Sequence, residues 1–392
     1  MAQFSKRYYI FLIIFLGMLS AFGPFVTDMY LPTLPSMTEV FHTSASLVQM
    51  GLATSMIGLA VGQVLFGPLS DKYGRKAVLV SAMVLFAIST IASIYSPDIN
   101  FFNICRFLQG LGGSGGIVLS RSVATDCYSG RELAKTLAII GAVNGIAPVT
   151  APVIGGLVSE AIGWQGIFWV LFAIGAVILM MCLVFKESHH KENRYQGTVW
   201  SLVGKFPQLF KLRNYVIYVL LYAFTCGVLF SYISSASFII QNTFGFSELG
   251  FAIIFGINAV GIAIGSALSL KFRKMQNAAM FGASGIAACS LLQIAAHLLM
   301  PHFVPYEILT FLMLVSVGFI LTSSTTLAMD EGRSMAGTAA AFFGASGFMF
   351  GGIVTPLVGL GNIITTTLAL LTCCSLAALF FASLAFRKKS SV

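Results

Sequence analysis

The chain has 392 residues, of which 57% are hydrophobic and 9% are charged. Soluble globular domains carry about 25% charged residues, so this composition excludes an ordinary water-soluble protein. The formal net charge of +9 does not indicate nucleic-acid binding, because the basic residues form short clusters between long apolar runs. We therefore expect the lipid bilayer to be the main solvent of this protein.

Apolar runs long enough to cross a bilayer follow one another along the chain, and each predicts a helix. In the first half these runs lie near residues 8–29, 44–67, 77–96, 100–122, 134–158 and 163–186. In the second half they lie near residues 213–238, 249–270, 277–299, 305–328, 336–360 and 363–386. The predicted fold class is all-α and integral to the membrane, with about twelve transmembrane helices.

Charge alternates from one predicted loop to the next. Basic residues cluster after the second run, in the middle of the chain and at both ends. The loops between these clusters contain none of the 22 Lys and Arg, and their acidic residues are Glu39, Asp98, Glu160, Glu248 and Glu307. Because basic loops stay on the cytoplasmic side, we predict a multi-pass protein of the bacterial cytoplasmic membrane with both termini in the cytoplasm.

A polar segment near the middle divides the chain into two halves. We assign residues 1–186 to an N-terminal six-helix bundle, residues 187–212 to a cytoplasmic linker with an amphipathic segment, and residues 213–392 to a C-terminal six-helix bundle. The loop after the second run reads LSDKYGRK, and the loop after the eighth reads LSLKFRK. This faint repeat indicates a duplicated unit, which is a common plan among membrane transporters.

Several motifs carry a resemblance to a known family. GPLSDKYGRKAVL, at residues 67–79, resembles the loop signature of the major facilitator superfamily, and RFLQGLGG, from Arg106, resembles its fourth-helix motif. GAVNGIAPVTAPVIGG, at residues 141–156, resembles the fifth-helix signature of its antiporters. DMYLPTLP, SYISSASFIIQNTFGFS and MAGTAAA are similar to segments of its Bcr/CflA-type multidrug efflux group, named for bicyclomycin and chloramphenicol resistance. The resemblance covers almost the whole chain, although Leu270 stands in the second-half loop where the first half has Asp71.

Two charged residues, Asp28 and Arg106, lie within apolar runs. A charge at the bilayer centre costs about 2.5–3.5 kcal/mol on insertion scales, so such residues are usually functional. The resemblance implies that both serve proton coupling, Asp28 as a carboxylate that gains and loses a proton and Arg106 as a fixed positive charge. The alternative for Asp28 is a helix-end residue in the headgroup zone. The sequence leaves open whether the two side chains touch.

Two further groups of residues acquire roles through the resemblance. It implies a conformational lock on the cytoplasmic side, formed by Asp71, Gly74, Arg75, Arg121 and Asp126. The alternative is a set of unlinked surface charges, worth about 0–1 kcal/mol per pair. In the fifth predicted helix, prolines favour bending and small residues permit close helix packing. The antiporter motif there consists of Gly141, Gly145, Pro148, Pro152, Gly155 and Gly156, and it is expected to prevent a passive leak or simply to pack.

Drug-binding pockets are mostly apolar and aromatic, with a few polar groups. Side chains of that kind lie in or beside the predicted helices, and ordinary interhelical packing is the alternative for each. The substrate-binding candidates are Tyr30, Asn144, Tyr222, Tyr232, Asn258 and Gln293.

The function implied is a proton-coupled antiporter that exports small amphipathic drugs by alternating access. A single-metabolite facilitator and a sodium-coupled exporter of the same fold are the alternatives. We expect no enzyme activity, because the sequence has no nucleophile motif and no cluster of carboxylates or histidines within an apolar run. It has no G-x-x-x-x-G-K-[ST] loop and no metal-ligand cluster, so we expect transport without a cofactor, driven by an ion gradient or by the substrate itself. The resemblance implies that the driving force is a proton gradient. The expected partners are a small-molecule substrate, protons and the bilayer, without nucleic acid, and we expect a monomer.

Overall fold

The computed structural model describes residues 6–197 and 206–387, and most of these residues are helical. In the first half the helices are α1 (Lys6–Asp28), α2 (Leu34–Val40), α3 (Ala45–Tyr73), α4 (Arg75–Ile94), α5 (Ile99–Cys127) and α6 (Gly130–Val184). In the second half they are α7 (Phe206–Leu209), α8 (Arg213–Phe238), α9 (Glu248–Ser269), α10 (Met275–Leu299), α11 (Phe303–Glu331), α12 (Ala336–Leu357) and α13 (Ile363–Arg387). A π-helical segment, Ile239–Thr243, extends α8.

Within the described ranges, ten helices are long and apolar enough to cross a membrane. One of them, α6, is really two helices, because the backbone leaves helical geometry at Ile162 and at Gly163, where φ is +74°. This break falls between the predicted helices 134–158 and 163–186. The 29-residue α5 lies outside the ten but is also long enough to span a bilayer. The predicted fold of twelve transmembrane helices is therefore confirmed.

Contacts between Cα atoms divide the chain into two compact units. Unit 1 comprises Met1–Tyr30 and Thr54–Gly204. In it, α1 packs against α5 and α6, and α4 packs against the same two helices. Glycines permit the closest approaches, since a Cβ atom added to Gly112 would lie 2.7 Å from the carbonyl oxygen of Ala82. Small residues are the usual means by which transmembrane helices bring their backbones together.

Unit 2 comprises Leu31–Ala53 and Lys205–Val392. Here α11 packs against α8, α9 and α10, while α13 packs against α8 and α10. Two hydrogen bonds to backbone carbonyl groups hold Leu31–Ala53 in this unit. The side chain of Gln49 donates to the carbonyl oxygen of Ser234 at 3.1 Å, and the side chain of Gln241 donates to the carbonyl oxygen of Pro32 at 2.8 Å. The units therefore differ from the predicted domains at residues 31–53, and the domain boundaries stay a prediction.

Candidate functional site

Arg106 is fully buried in unit 1, and neutral groups surround its guanidinium. One terminal nitrogen donates to the carbonyl oxygen of Val26 at 2.7 Å and to the hydroxyl of Ser55 at 3.2 Å. The other donates to the side-chain oxygen of Gln109. The side-chain nitrogen of Gln109 in turn donates to the hydroxyl of Thr90 at 2.8 Å. Because an arginine keeps its charge in proteins, α5 carries a fixed cation in the interior of the unit.

Two aromatic rings complete this environment. The guanidinium carbon of Arg106 lies 4.2 Å from the ring centroid of Tyr30 and 5.6 Å from that of Phe168. Tyr30 and Phe168 are themselves 6.1 Å apart, ring centroid to ring centroid. A cation over an aromatic face is held by the ring quadrupole, and the attraction grows when water is excluded. The predicted substrate residue Tyr30 is thus a direct neighbour of the predicted coupling residue Arg106.

Asp28 ends α1 and is 5% exposed, so it is not a solvated helix-end residue in this structure. Its carboxylate accepts a hydrogen bond of 2.7 Å from the hydroxyl of Thr27. Among the described residues, no ion pair joins Asp28 to Arg106. Tyr30 interacts electrostatically with both of them. The structure therefore groups the two predicted coupling residues around one tyrosine without pairing their charges.

The antiporter motif packs against the residue that follows Asp28. A Cβ atom added to Gly155 would collide with the carbonyl oxygen of Met29, whereas one added to Gly141 would enter open space. Pro152 and Gly156 are buried, and Pro148 is half-buried. Helical geometry continues through both prolines, and α6 departs from it only after the motif. The side chains at Asn144 and Gly145 lie outside the part of the chain that the structure describes.

At the opposite end of unit 1, Arg75 joins two of the predicted lock residues. Its guanidinium lies 2.5 Å from the carboxylate of Asp71 and 2.9 Å from that of Asp126. Gly74, at the N-cap of α4, has a φ of +98°, a conformation that favours glycine. Arg121 has an exposed side chain and forms no ion pair within the described ranges. Four of the five predicted lock residues thus lie together.

The linker supplies a residue that sequence reasoning missed. The carboxylate of Glu187 accepts hydrogen bonds from the backbone N–H groups of Arg75 at 2.9 Å and Lys76 at 3.2 Å. The first N–H groups of a helix have no partner within the helix, and the N-cap glycine of α4 has no side chain that could accept from them. Glu187 takes that part. Arg194, 3.6 Å from Glu187, and a backbone bond from Tyr195 to Asp71 hold the linker against the same loop. The sequence signal that could have identified Glu187 is its position as an acidic residue directly after a predicted helix, within a basic segment.

Unit 2 contains four of the six substrate-binding candidates. Asn258 is fully buried and donates to the hydroxyl of Tyr232 at 3.0 Å. Gln293 is 3% exposed and donates to the hydroxyl of Thr310 at 2.9 Å. Tyr222 lies elsewhere in the unit, where its ring stacks on Phe343 at 4.0 Å.

A carboxylate joins the pair formed by Tyr232 and Asn258. Glu307 lies within hydrogen-bonding reach of the Asn258 side chain and interacts electrostatically with Tyr232. The sequence analysis placed Glu307 in an outer loop, and this was wrong, because the residue lies inside α11. The helix begins at Phe303, and the apolar run predicted at residues 305–328 already contained position 307, so the acidic side chain was assigned to the loop although the run favoured a helix.

The profile of the Major Facilitator Superfamily matches residues 10–356 of this chain. The protein belongs to the Major Facilitator Superfamily. It is 35% identical to an uncharacterized MFS-type transporter, YdgK, of Bacillus subtilis, over 88% of each chain. It is 29% identical to a bicyclomycin resistance protein homolog of Haemophilus influenzae, over 90% of each chain. The predicted resemblance to the bicyclomycin-resistance branch is thereby confirmed, and the chain is a multi-pass membrane transporter rather than an enzyme.

Solved structures support the same fold. The Escherichia coli xylose transporter XylE, in a partially occluded inward-open conformation, superposes with a TM-score of 0.74 over 96% of this chain and 97% of that one. Sequence identity in this comparison is 16%, so the similarity establishes the fold alone. Function has to be argued from the residues of this chain.

Proposed function

We propose that this protein exports small amphipathic drugs across the bacterial cytoplasmic membrane in exchange for protons, by alternating access. The observation that carries the proposal is the buried Asp28 carboxyl, which lies near the fixed cation of Arg106 without an ion pair between them in the described residues. Ionisable groups inside a membrane are costly and usually mark an ion or substrate path. The relative of Haemophilus influenzae named for bicyclomycin resistance supports drugs as the substrate class.

In this mechanism Asp28 is the proton carrier. It takes up a proton when it becomes accessible from the outside and releases the proton when it becomes accessible from the cytoplasm. One elementary charge crossing 100 mV gains about 2.3 kcal/mol, which is enough to accumulate substrate more than tenfold per proton. Arg106 stays charged through the cycle and supplies a constant positive charge. Tyr30 interacts electrostatically with both groups, and in this mechanism it transmits the change of charge at Asp28 to the guanidinium.

The cluster of Asp71, Arg75 and Asp126 is the lock of the cycle. Its three charges lie where α3 and α5 end and α4 begins, and Glu187 holds the linker beside them. In this proposal the region faces the cytoplasm, as do both termini, and the excess of Lys and Arg in the loops on this side supports that orientation. We propose a monomer as the functional form, because one chain supplies both bundles, with the bilayer, protons and a small molecule as its partners.

Proton release from purified protein in detergent tests the proposal. Chloramphenicol and a lipophilic cation are added in weakly buffered solution at mildly alkaline pH, with binding measured independently. We expect release from the wild type and from a Glu39→Gln control, whose carboxylate is exposed. Asp28→Asn should bind substrate without releasing protons. Release that persists in this variant would assign coupling to another carboxylate, and binding without release from the wild type would overturn antiport in favour of a facilitator or a sodium-coupled exporter.

A further inference from the structure

A group of polar side chains lies inside unit 2, where helices α8, α9, α10 and α11 meet. Each helix contributes at least one member, and Tyr232, Asn258 and Gln293 are at most 3% exposed. Hydrogen bonds join Asn258 to Tyr232 and Gln293 to Thr310. Glu307, one helical turn before Thr310, completes the group. Such a cluster in an apolar bundle needs a physical reason, because burying polar groups is costly unless they are paired.

The cluster has too many hydrogen-bond acceptors. The side-chain oxygens of Asn258 and Gln293 and one carboxylate oxygen of Glu307 are buried, and within residues 6–197 and 206–387 none of the three receives a hydrogen bond. Each unsatisfied buried acceptor costs about 1–3 kcal/mol. None of the ion pairs of the described residues includes Glu307. These three oxygens therefore lack hydrogen-bond donors, and no described residue forms an ion pair with Glu307.

An apolar cavity borders this group. It has a volume of about 60 Å³ and lies within unit 2. Of the three acceptor residues, only Gln293 lines it, together with Thr243, His297, His302, Tyr306 and apolar residues such as Ile239, Phe244 and Leu368. The ring centroids of Phe244 and Tyr306 are 5.5 Å apart. Ligand pockets combine apolar walls with a few polar groups. The space beside Gln293 has this character and suits an alkyl chain, which is the apolar part of such a small molecule.

We propose that Glu307, Asn258 and Gln293 form a recognition site for the alkylammonium group of an amphipathic amine, whose apolar part occupies the adjacent cavity. The inference rests on the proposed export function and narrows its substrate class to primary and secondary amines that are protonated at neutral pH. A primary ammonium supplies N–H donors for these oxygens and a positive charge to pair with Glu307. Hydrogen bonds between charged partners are about twice as strong as neutral ones.

Binding of matched fluorescent probes to the purified full-length protein tests the site. Dansylcadaverine has a primary ammonium at the end of an alkyl chain. Its trimethylammonium analogue keeps the charge but has no N–H donor there, and the corresponding terminal alcohol has a donor but no charge. We expect the wild type to bind the primary ammonium most tightly. Glu307→Gln should weaken that binding about tenfold or more and change binding of the alcohol less than about twofold.

Two variants serve as controls. Glu307→Asp keeps the charge and should keep the preference for the ammonium probe over the alcohol. Glu160→Gln removes an exposed carboxylate and should leave all three dissociation constants unchanged. Equal weakening of all probes in Glu307→Gln would indicate a merely structural role and overturn the proposal. Unchanged ammonium binding in that variant, or no preference for it in the wild type, would overturn it as well.

The two proposals fail separately in these experiments. Probe binding does not require proton coupling, so it can succeed even if chloramphenicol releases no protons from the wild type. Conversely, proton release that depends on Asp28 can be observed when Glu307 has no part in binding amines. The first outcome would contradict only the proposed proton antiport, and the second would contradict only the proposed ammonium site.

Discussion

The guanidinium of Arg106 lies over the ring of Tyr30, 4.2 Å from its centroid, and Tyr30 follows Asp28 by two residues in the chain. A fixed cation and a titratable carboxyl are thereby placed around one aromatic ring. The contact needs α1 and α5 side by side, and these helices do pack together in unit 1. A planar ring can hold the cation without neutralising it, which an ion pair with Asp28 would do.

Removing the ring should therefore be more harmful than removing its hydroxyl. Desolvated cation–π contacts are worth about 2 kcal/mol, so we expect Tyr30→Leu to lower the free energy of unfolding by about that amount and to reduce drug export about tenfold. Tyr30→Phe should retain most of both. Thermal unfolding in detergent and efflux of a fluorescent drug from cells measure the two effects, and equal losses in both variants would contradict a role for the ring face.

The antiporter motif offers a matched pair of glycines. Gly155→Ala should destabilise the protein by about 1–3 kcal/mol and reduce export, because the added methyl group would force α6 away from the carbonyl oxygen of Met29, beside Asp28. Gly141→Ala should be nearly neutral, since the same methyl group there meets open space. Thermal unfolding and efflux assays distinguish them. Similar behaviour of the two variants would show that the Gly155 contact does not control this region.

The lock can be tested with two arginines of α4 and α5. Arg75→Lys should reduce export severely, because lysine keeps the charge but cannot bridge Asp71 and Asp126 with separate nitrogens of a planar fork. Arg121→Lys should export normally, since the Arg121 side chain is exposed. Drug accumulation at equal protein levels in the membrane provides the measurement. Normal export by Arg75→Lys would mean that the bridge is not needed.

The linker carboxylate should act as the cap of α4. Loss of an N-terminal cap costs about 0.5–2 kcal/mol, so Glu187→Ala should lower the unfolding temperature, and Glu187→Gln should restore part of the loss by accepting the same hydrogen bonds. Glu192→Ala, at an exposed position in the same linker, is the control and should change nothing. If the two alanine variants unfold at the same temperature, Glu187 does not stabilise the helix.

Sequence reasoning identified the cytoplasmic cluster largely because its members belong to a continuous motif. Asp71 and Arg75 are four residues apart on either side of a tight turn at Gly74, so a short stretch of sequence is enough to bring them close. Asp126 was recoverable through the family resemblance. Glu187 was not, because it is more than a hundred residues from Arg75 in sequence and only the docking of the linker brings its carboxylate to the start of α4.

The same distinction applies to the candidate binding residues. Tyr232, Asn258 and Gln293 were singled out as polar side chains in apolar runs, but nothing in the sequence related them to Glu307. Four different helices bring these groups together, and helix packing depends on the shapes of many side chains at once. Tyr222 had the same appearance in the sequence and nevertheless packs against Phe343, in an apolar core.

Composition by itself determined that this chain is a membrane protein, and the lengths of its apolar runs determined that about twelve helices cross the bilayer. Both follow from the bilayer, which requires apolar side chains in its core and helices of about 20 residues to span it. The motifs determined the family, because each is a short continuous stretch of sequence that can be recognised without knowing the tertiary structure. Only the tertiary structure decided that Arg106 lies against Tyr30 rather than in an ion pair with Asp28. Only the tertiary structure decided, too, that the half-buried Glu307 reaches the side chain of Asn258. Those are contacts between helices, and a linear sequence does not state which faces of its helices meet.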